Sequence, residues 1–319
     1  MPEAIVFVIS ITAVIFGADW LGNSATHIAK RFSLPRILIG ATIVSLATTL
    51  PEIVIATVSG AESSPEIGLG TVFGSPLVNI GLLFGILLLL SQPSIHKTYY
   101  SRTIKLFIAT LVLIALLFLG GSISPIFGFI LILSGVAYLI IQFVVGKQEQ
   151  NLIEQIENRF ENLKDFFTQR ENYNQTFYLV VGSTLLLGGA HFLVGSASSL
   201  AEILGVPSVV VGFIIIAFGT SIPEMFTTFN SIIKGRPGLG VGNLFGASVL
   251  DLTLALGLAS IFNGARLNPT DLYLTLAVLG VISLFSLFYV SGKVSPKVLG
   301  VLLISTYFAT LILFTNFAT

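Results

Sequence analysis

The sequence predicts an all-α membrane protein of ten transmembrane helices, arranged as two inverted-topology repeats of five, with broken helices 2 and 7. Three observations predict this fold class. Hydrophobic residues make up 54% of the chain, charged residues only 9%, and the mean hydropathy is +0.97, whereas soluble domains carry about 25% charged residues. The chain also contains ten apolar stretches of membrane-spanning length, and its two halves repeat each other.

The composition limits the chemistry that the chain can perform. Fifteen Lys and Arg residues balance fifteen Asp and Glu residues, and the basic stripe that a nucleic-acid partner needs is absent. With no Cys and only three His, the sequence excludes disulfides, thiolate metal sites and the usual zinc sites. We therefore expect no cofactor and no nucleic-acid partner, and we expect any bound ion to be held by oxygen atoms.

A helix needs about 20 apolar residues to cross the hydrocarbon core. Ten stretches meet this length, at roughly 4–22, 36–59, 66–90, 103–119, 124–145, 176–198, 208–233, 239–262, 270–290 and 296–315. The stretch 146–174 between the fifth and sixth holds ten of the thirty charged residues. We interpret 1–145 and 175–319 as five-helix repeats, joined by a solvated linker that could include an amphipathic helix on the membrane surface.

The positions of Lys and Arg predict the orientation. When the loops are assigned alternately to two sides of the membrane, 14 of these residues fall on one side and Arg266 alone falls on the other. Cytoplasmic loops carry the excess of Lys and Arg. We therefore expect a multi-pass protein of the plasma membrane with the linker in the cytoplasm and both termini outside.

The two halves repeat each other, without a gap, at a shift of 172 residues. Residues 40–52 (GATIVSLATTLPE) align with 212–224 (GFIIIAFGTSIPE), and residues 70–85 (GTVFGSPLVNIGLLFG) align with 242–257 (GNLFGASVLDLTLALG). Since each copy contains five spans, an odd number, the second copy enters the membrane from the opposite side. Such symmetry is suited to alternating access, because the same structure read from either side offers a route to one central site.

The repeated segments place proline and glutamate in the middle of the membrane. Pro51 and Pro223 each remove a backbone donor within a span, so we expect helices 2 and 7 to be unwound just before them, with freed carbonyls lining a cavity. Glu52 and Glu224 follow directly, at a depth where an unpaired charge costs about 2.5–3.5 kcal/mol. No intramembrane Lys or Arg is available to pair with them. A bound cation is therefore the expected partner.

Further oxygen ligands are expected just before each proline and on the third and eighth spans. The full set of candidate ligands, including the two glutamates, is Glu52, Glu224, Thr48, Thr49, Thr220, Ser221, Ser75, Asn79 and Asp251. An all-oxygen site with two or three carboxylates suits Ca²⁺ best, with Na⁺ as a competitor. A single proline in such a helix is more often a packing kink, and a single Ser or Thr usually bonds its own helix; the symmetric duplication favours the ion site.

The paired Pro-Glu stretches, each followed by a glycine-rich stretch, resemble the α-repeats of the calcium/cation antiporter superfamily. The resemblance covers the whole chain and is closest to the prokaryotic sodium/calcium exchanger branch. It implies electrochemically driven Ca²⁺ export, with Glu52 and Glu224 as central Ca²⁺ ligands. It also implies that the hydroxyl residues before each proline and polar residues of the third and eighth helices complete the site.

One position departs from the family pattern and bears on the counter-ion. Ala247, the repeat mate of Ser75, stands where sodium exchangers usually have Ser, and Ser248 points about 100° away on a helix. Na⁺ needs several neutral oxygens, whereas H⁺ needs only a carboxylate that burial helps to neutralise. The TTLPE and TSIPE segments nevertheless resemble a sodium exchanger and differ from the GNxxE pattern of proton/calcium exchangers.

We therefore expect a Ca²⁺ antiporter that works by alternating access, with H⁺ slightly favoured as the counter-ion and Na⁺ as the alternative. A cation channel is a distant alternative, because no oligomeric filter motif accompanies the repeat. An intramembrane hydrolase would need a nucleophile with a base, and no G-x-S-x-G segment is present. The sequence leaves the oligomeric state open.

Overall fold

The structure is a computed structural model, and it describes residues 2–31, 45–62, 64–91, 97–119, 122–157, 175–233, 237–263, 265–266 and 269–317. Within these ranges the chain is helical apart from turns and one two-stranded ribbon. The first half contains, in chain order, α1 (Pro2–Arg31), α2 (Ser45–Thr48), α3 (Leu50–Ala61), α4 (Pro65–Pro76), the π-helix π1 (Leu77–Leu83), α5 (Phe84–Ser91), α6 (Lys97–Leu117), β1 (Ser122–Ile123) and α7 (Pro125–Glu157).

The second half repeats this order of helices. It contains α8 (Gln175–Leu204), α9 (Ser208–Val210), the π-helix π2 (Val211–Ile216), α10 (Ala217–Thr220), α11 (Ile222–Ile233), α12 (Pro237–Leu250), the π-helix π3 (Asp251–Ala255), α13 (Leu256–Asn263), β2 (Ala265–Arg266), α14 (Pro269–Val290) and α15 (Pro296–Phe317). The five helices α10 to α14 start 172 residues after the five helices α2 to α6. The secondary structure therefore repeats at the shift found in the sequence.

Eight helices among the described residues are long and apolar enough to cross a membrane. They are Pro2–Trp20, Pro65–Ser91, Pro125–Gln142, Val180–Leu204, Ser208–Ile233, Gly240–Phe262, Leu272–Val290 and Pro296–Phe314. Of the two remaining predicted spans, 36–59 is described only from residue 45, and α6 carries basic residues in its first half. The chain is an all-helical membrane protein with eight candidate spans, and the count of ten stays a prediction.

The predicted second and seventh spans are interrupted at one residue each. A turn at Thr49 separates α2 from α3, and a turn at Ser221 separates α10 from α11, with Pro51 and Pro223 in the first turn of the following helix. The backbone N–H of Ile53 still donates to the carbonyl of Thr49 at 3.0 Å. Because a proline in a first turn removes little hydrogen bonding, the residues before each turn remain helical, and the unwinding predicted there is not observed.

Helices α1 and α8 lie side by side with their backbones close together. A Cβ atom on Gly17 would lie 2.6 Å from the backbone nitrogen of Leu186, and one on Gly189 would lie 3.1 Å from the carbonyl oxygen of Ser10. Small residues allow this close approach between membrane helices. Apolar side chains of the pair form a buried cluster with residues of α3, α4 and π2.

A larger apolar core surrounds the aromatic residue Phe245 of α12. Its ring centroid lies 5.3 Å from that of Phe84 and 6.0 Å from that of Phe107, both in edge-to-face arrangements. Helix α3 of the first half contacts π3 of the second half, and α4 contacts both α12 and π3. These contacts bring the polar residues of the two halves into the same region of the interior.

A short antiparallel ribbon joins two connections that are far apart in the sequence. Ser122 of β1 pairs with Arg266 of β2, and Ile123 pairs with Ala265. The α6–α7 and α13–α14 connections therefore lie at the same end of the molecule. The alternating assignment of loops to two sides requires this arrangement.

Helix α7 continues beyond the predicted span 124–145 and ends at Glu157. The first twelve residues of the predicted linker 146–174 thus extend this helix, because nothing in their sequence stops it. Most of the apolar residues of the predicted surface helix lie beyond Glu157, outside the described residues.

Candidate cation-binding site

Three acidic side chains are buried together where the two halves meet. Glu52 of α3 and Asp251 of π3 have no exposed surface, and Glu224 of α11 is 1% exposed. The three are close enough for their charges to interact. The structure therefore brings together the carboxylates that the sequence assigns to one site.

The starts of two helices hold the glutamates in place. Glu52 is the third residue of α3, and Glu224 is the third residue of α11. A helix N-terminus carries a partial positive charge, which favours a carboxylate within the first turn. The proline before each glutamate suits this turn, because its fixed φ matches a helix start. Each half of the chain therefore directs one helix start and one carboxylate into the site.

Ser75 connects the two halves within the site. Its hydroxyl lies 3.4 Å from Oε1 of Glu52 and 3.3 Å from the hydroxyl of Ser221, and the amide nitrogen of Asn79 lies 3.5 Å from the Ser75 oxygen. Ser75 also lies beside Asp251. One serine of the first half therefore contacts polar residues of α3, π1, the α10–α11 turn and π3.

Asn79 and Asp251, the predicted ligands on the third and eighth spans, lie in π-helical segments. Asn79 is in π1 and Asp251 is the first residue of π3, and the two positions are repeat mates. A π-helical turn changes the direction of the side chains that follow, and such turns are frequent at functional sites. Neither segment follows from the sequence pattern; Pro76, directly before π1, is the one local signal that could have indicated the first.

Four hydroxyl residues before the prolines donate to the carbonyls of the preceding turn. The bonds are Thr48 to Ser45 (3.2 Å), Thr49 to Ser45 (2.6 Å), Thr220 to Ile216 (3.0 Å) and Ser221 to Ala217 (2.8 Å). A hydroxyl that donates its proton in this way keeps its lone pairs for another partner. These bonds therefore orient neutral oxygen atoms that could bind a cation.

The threonine of each half lies beside the glutamate of the other half. Thr220 is next to Glu52, and Thr48 is next to Glu224. For Thr49, the hydrogen bond found among the described residues runs to the backbone of its own helix. The structure thus brings eight of the nine predicted site residues into contact or close proximity, and Thr49 is buried in the turn between α2 and α3.

Most of the acidic oxygen atoms have no hydrogen-bond partner among the described residues. These atoms are Oε2 of Glu52, both carboxylate oxygens of Glu224 and both of Asp251, together with Oδ1 of Asn79. A buried carboxylate without a partner is costly, because it has lost its hydration without replacement. A cation with several oxygen ligands would satisfy these atoms.

The carboxylates alone do not form a compact metal site. Within the described residues, no group of three or more His, Cys, Asp and Glu side chains is placed so that it could hold a metal ion. Hydroxyl and amide oxygens of Ser75, Ser221 and Asn79 lie beside the carboxylates and would add neutral oxygen atoms to such a site. Such mixed oxygen ligands suit Ca²⁺ and Na⁺ and offer nothing to softer metals.

The two halves of the site differ at the repeat mate of Ser75. Ala247 is fully buried and supplies no hydroxyl, while the hydroxyl of Ser248 donates to the carbonyl of Leu244 at 2.8 Å. Because neighbouring residues of a helix point about 100° apart, Ser248 does not stand at the position that matches Ser75. As a result, Glu52 has a serine partner and Glu224 has none among the described residues.

One polar contact outside the site links α8 to the end of α3. Nδ1 of His191 contacts Oε1 of Glu62, and His191 is largely exposed. The sequence gives no means of naming Glu62 as the partner of His191. This contact lies on the surface, apart from the three buried carboxylates.

The chain is similar to known membrane proteins over most of its length. A family model described as sodium/calcium exchanger protein matches residues 3–144 and, separately, residues 174–316. The chain is 28% identical to the uncharacterized membrane protein MJ0091 of Methanocaldococcus jannaschii over 94% of each protein, and 25% identical to the sodium/calcium exchanger MaX1 of Methanosarcina acetivorans over 97% of each. A solved structure of the sodium-calcium exchanger NCX_Mj, soaked with 2.5 mM Na⁺ and 1 mM Sr²⁺, matches 97% of each chain with a TM-score of 0.67 and 25% identity.

Proposed function

The chain belongs to the sodium/calcium exchanger protein family, and we propose that it is a secondary antiporter that exports Ca²⁺ in exchange for a monovalent cation. One observation carries this proposal: carboxylates from both halves of the chain are buried together with most of their oxygen atoms unpartnered. A divalent cation would neutralise this cluster. The protein is thus a transporter and not an enzyme.

We propose that all nine predicted residues contribute to ion binding. Glu52 and Glu224 supply the charge that holds Ca²⁺, with Asp251 as a third carboxylate. The neutral ligands are Thr48, Thr49, Thr220, Ser221, Ser75 and Asn79. The cross-pairing of threonines and glutamates supports this assignment, because an ion between the two helix starts would contact both halves at once.

Transport would proceed by alternating access between two inverted repeats. The separate matches of the family model to the two halves support the duplication, and the ribbon between β1 and β2 supports the assignment of their loops to one side. Ten spans with both termini outside and a cytoplasmic linker follow from the loop charges. In this arrangement the two interrupted helices meet at mid-membrane, where transporters bind their substrates.

Two counter-ions have support, and each rests on its own observation. Na⁺ is the first candidate, because the hydroxyl oxygens of the site are those that Na⁺ requires and because the full-length relatives MaX1 and NCX_Mj are named sodium/calcium exchangers. H⁺, which the sequence favours, is the second. Ala247 leaves Glu224 without a serine partner, and a proton needs no neutral ligands.

Reconstituted vesicles test the function and separate the counter-ions. Purified protein is placed in liposomes loaded with Ca²⁺ indicator, and Ca²⁺ uptake is measured with an outward Na⁺ gradient at constant pH, with a pH gradient in the absence of Na⁺, and with neither. We expect Ca²⁺ uptake under at least one of the two gradients and no uptake without a gradient. Uptake that needs no gradient would indicate a channel, and no uptake under either gradient would contradict the antiporter.

A further inference from the structure

A second group of polar side chains is buried near the carboxylates, around Gly246 of α12. It consists of Ser45 of α2, Asn243 of α12, and Tyr138 and Gln142 of α7, and each of these side chains is at most 5% exposed. We call these four residues the Gly246 cluster. None of them belongs to the proposed cation site.

The members of the Gly246 cluster converge from three helices. The hydroxyl of Ser45 donates to Oδ1 of Asn243 at 3.3 Å, and the amide of Gln142 donates to the hydroxyl of Tyr138 at 2.8 Å. A Cβ atom on Gly246 would lie 3.1 Å from the Ser45 hydroxyl and 3.3 Å from the Tyr138 hydroxyl. The glycine therefore allows these two hydroxyl groups to lie close to the backbone of α12.

The amide nitrogen of Asn243 has no hydrogen-bond partner among the described residues. Leaving a buried donor unsatisfied costs about 1–3 kcal/mol, and in native proteins such groups usually bind ordered water or an ion. The amide oxygen of Asn243 already accepts from Ser45, and the hydroxyl oxygens of Ser45 and Tyr138 both lie close to Gly246. The oxygen atom of a water molecule would satisfy the Asn243 donor, so the Gly246 cluster offers polar groups to water and to a cation that keeps part of its water.

Two of the four equivalent positions in the other half are apolar. Gly74 is the repeat mate of Gly246, and the counterparts of Ser45 and Gln142 are Ala217 and Phe314. There the ring of Phe314 stacks on that of Phe213, with centroids 4.0 Å apart. If the packing of these helices required polar contacts, both halves would contain them. The polar contacts around Gly246 therefore require another explanation.

The other two counterparts of the Gly246 cluster are hydroxyl residues that are already satisfied. Thr71, the mate of Asn243, donates to the carbonyl of Ile67 at 2.9 Å, and Thr310, the mate of Tyr138, donates to that of Thr306 at 2.7 Å. Both bonds stay within one helix. The surroundings of Gly74 therefore have no counterpart of the polar contacts between helices that the Gly246 cluster makes.

The Gly246 cluster lies next to the cation site along two chain segments. The backbone carbonyl of Ser45 accepts the hydroxyls of Thr48 and Thr49. On α12, Asn243 precedes Asp251 by eight residues, which is about 12 Å of helix. The Gly246 cluster therefore extends the polar interior from the carboxylates towards the end of the molecule where α12 begins.

We propose that the Gly246 cluster is a waypoint at which the exchanged cation, with part of its water, pauses between the carboxylate site and the end where α12 begins. The inference rests on the proposed function. Neutral oxygens without a carboxylate bind a hydrated or monovalent cation weakly, which allows the ion to pass on. The stacked rings of Phe213 and Phe314 close the equivalent route in the other half.

Cysteine labelling tests this route directly, because the chain contains no Cys and each introduced thiol is unique. Ser45→Cys is compared with Ala217→Cys, its repeat mate, in oriented vesicles exposed on one side to a membrane-impermeant cationic thiosulfonate. We expect the reagent to modify Ser45→Cys from the side where α12 begins, about tenfold faster than Ala217→Cys from that side. Equal rates, or modification of Ser45→Cys only from the opposite side, would overturn the proposal.

Transport measurements separate this inference from the proposed function. We expect Asn243→Leu to lower Ca²⁺ flux about fivefold, because a route loses its polar lining, while the Ca²⁺ dissociation constant measured by calorimetry stays unchanged. Thr71→Val, the matched change at the repeat mate, should leave the flux unchanged. Asn243→Asp keeps the side-chain volume and should also slow the flux, because a carboxylate on the route holds the cation longer. If Asn243→Leu does not fold, the flux of Asn243→Asp tests the waypoint.

Normal flux in the Asn243 variants would overturn the waypoint and leave the proposed function intact. A parent protein that neither binds nor transports Ca²⁺ would overturn the proposed function, and the labelling rates would still decide whether the Gly246 cluster lines a route.

Discussion

The hydroxyl of Ser75 lies 3.4 Å from Oε1 of Glu52. The equivalent contact to Glu224 is missing, because Ala247 occupies the position of the second serine. The two glutamates of the site are therefore related by the repeat but are not equivalent in their surroundings. This difference affects how the site would divide its oxygen ligands between Ca²⁺ and the counter-ion.

Glu52→Gln and Glu224→Gln should each reduce Ca²⁺ transport by roughly a hundredfold, because losing one of the three carboxylate charges around a buried divalent ion costs about 3 kcal/mol. The measurement is gradient-driven Ca²⁺ uptake into liposomes. Glu62→Gln is the matched control, since Glu62 lies outside the site in contact with His191, and it should retain normal uptake. Normal uptake in both site variants would mean that the glutamates do not carry Ca²⁺.

Asp251→Asn should impair transport less than either glutamate change. Its repeat mate Asn79 is already an amide, so the site works with a neutral group at this position in one half. We expect about a tenfold weaker Ca²⁺ affinity, corresponding to about 1.4 kcal/mol, with measurable transport at raised Ca²⁺ concentration. A complete loss of transport at saturating Ca²⁺ would show that Asp251 is as necessary as the glutamates.

Ala247→Ser should improve the response to Na⁺. The new hydroxyl would stand at the repeat mate of Ser75 and add a neutral oxygen beside Glu224, worth about 1 kcal/mol or about a fivefold change in affinity. The Na⁺ concentration that half-maximally drives Ca²⁺ uptake should fall accordingly. An unchanged Na⁺ dependence would mean that the residue at position 247 does not contribute to binding of the monovalent cation.

The close crossing of α4 and π2 should not tolerate a side chain at Gly70. A Cβ atom there would lie 2.8 Å from the backbone nitrogen of Phe213, and backbone atoms in a packed core move only at a cost of about 1–3 kcal/mol. Gly70→Ala should therefore lower the melting temperature of the purified protein. Gly188→Ala, where a Cβ would meet nothing within 4 Å, is the control, and equal melting temperatures would contradict the packing explanation.

Hydropathy and the internal repeat were sufficient to predict the helical membrane fold and the segments that carry the buried acidic residues. The alignment of Pro51 with Pro223 indicated where the two spans are interrupted, because a proline is tolerated best at the start of a helix. The narrow extent of the breaks could not be predicted, since it depends on whether hydrogen bonds before the proline survive in the folded helix.

The π-helical segments and the contacts between halves were outside the reach of the sequence. No propensity distinguishes a π-turn from an α-turn at Asn79 or Asp251, and the choice depends on how neighbouring helices pack. Likewise, a residue-by-residue alignment of the repeats pairs Thr48 with Thr220 and gives no sign that each lies beside the glutamate of the other half. Ten spans and the orientation in the membrane stay predictions.

Equilibrium Ca²⁺ binding to the purified protein tests the central claim most directly. Radioactive ⁴⁵Ca²⁺ binding is measured in detergent at constant pH for the parent protein, for Glu52→Gln and Glu224→Gln, and for the control Glu62→Gln. We predict saturable binding to the parent and the control, and roughly a hundredfold weaker binding to both site variants. Binding of the same affinity in all four proteins would contradict the assignment of the buried glutamates as the Ca²⁺ site.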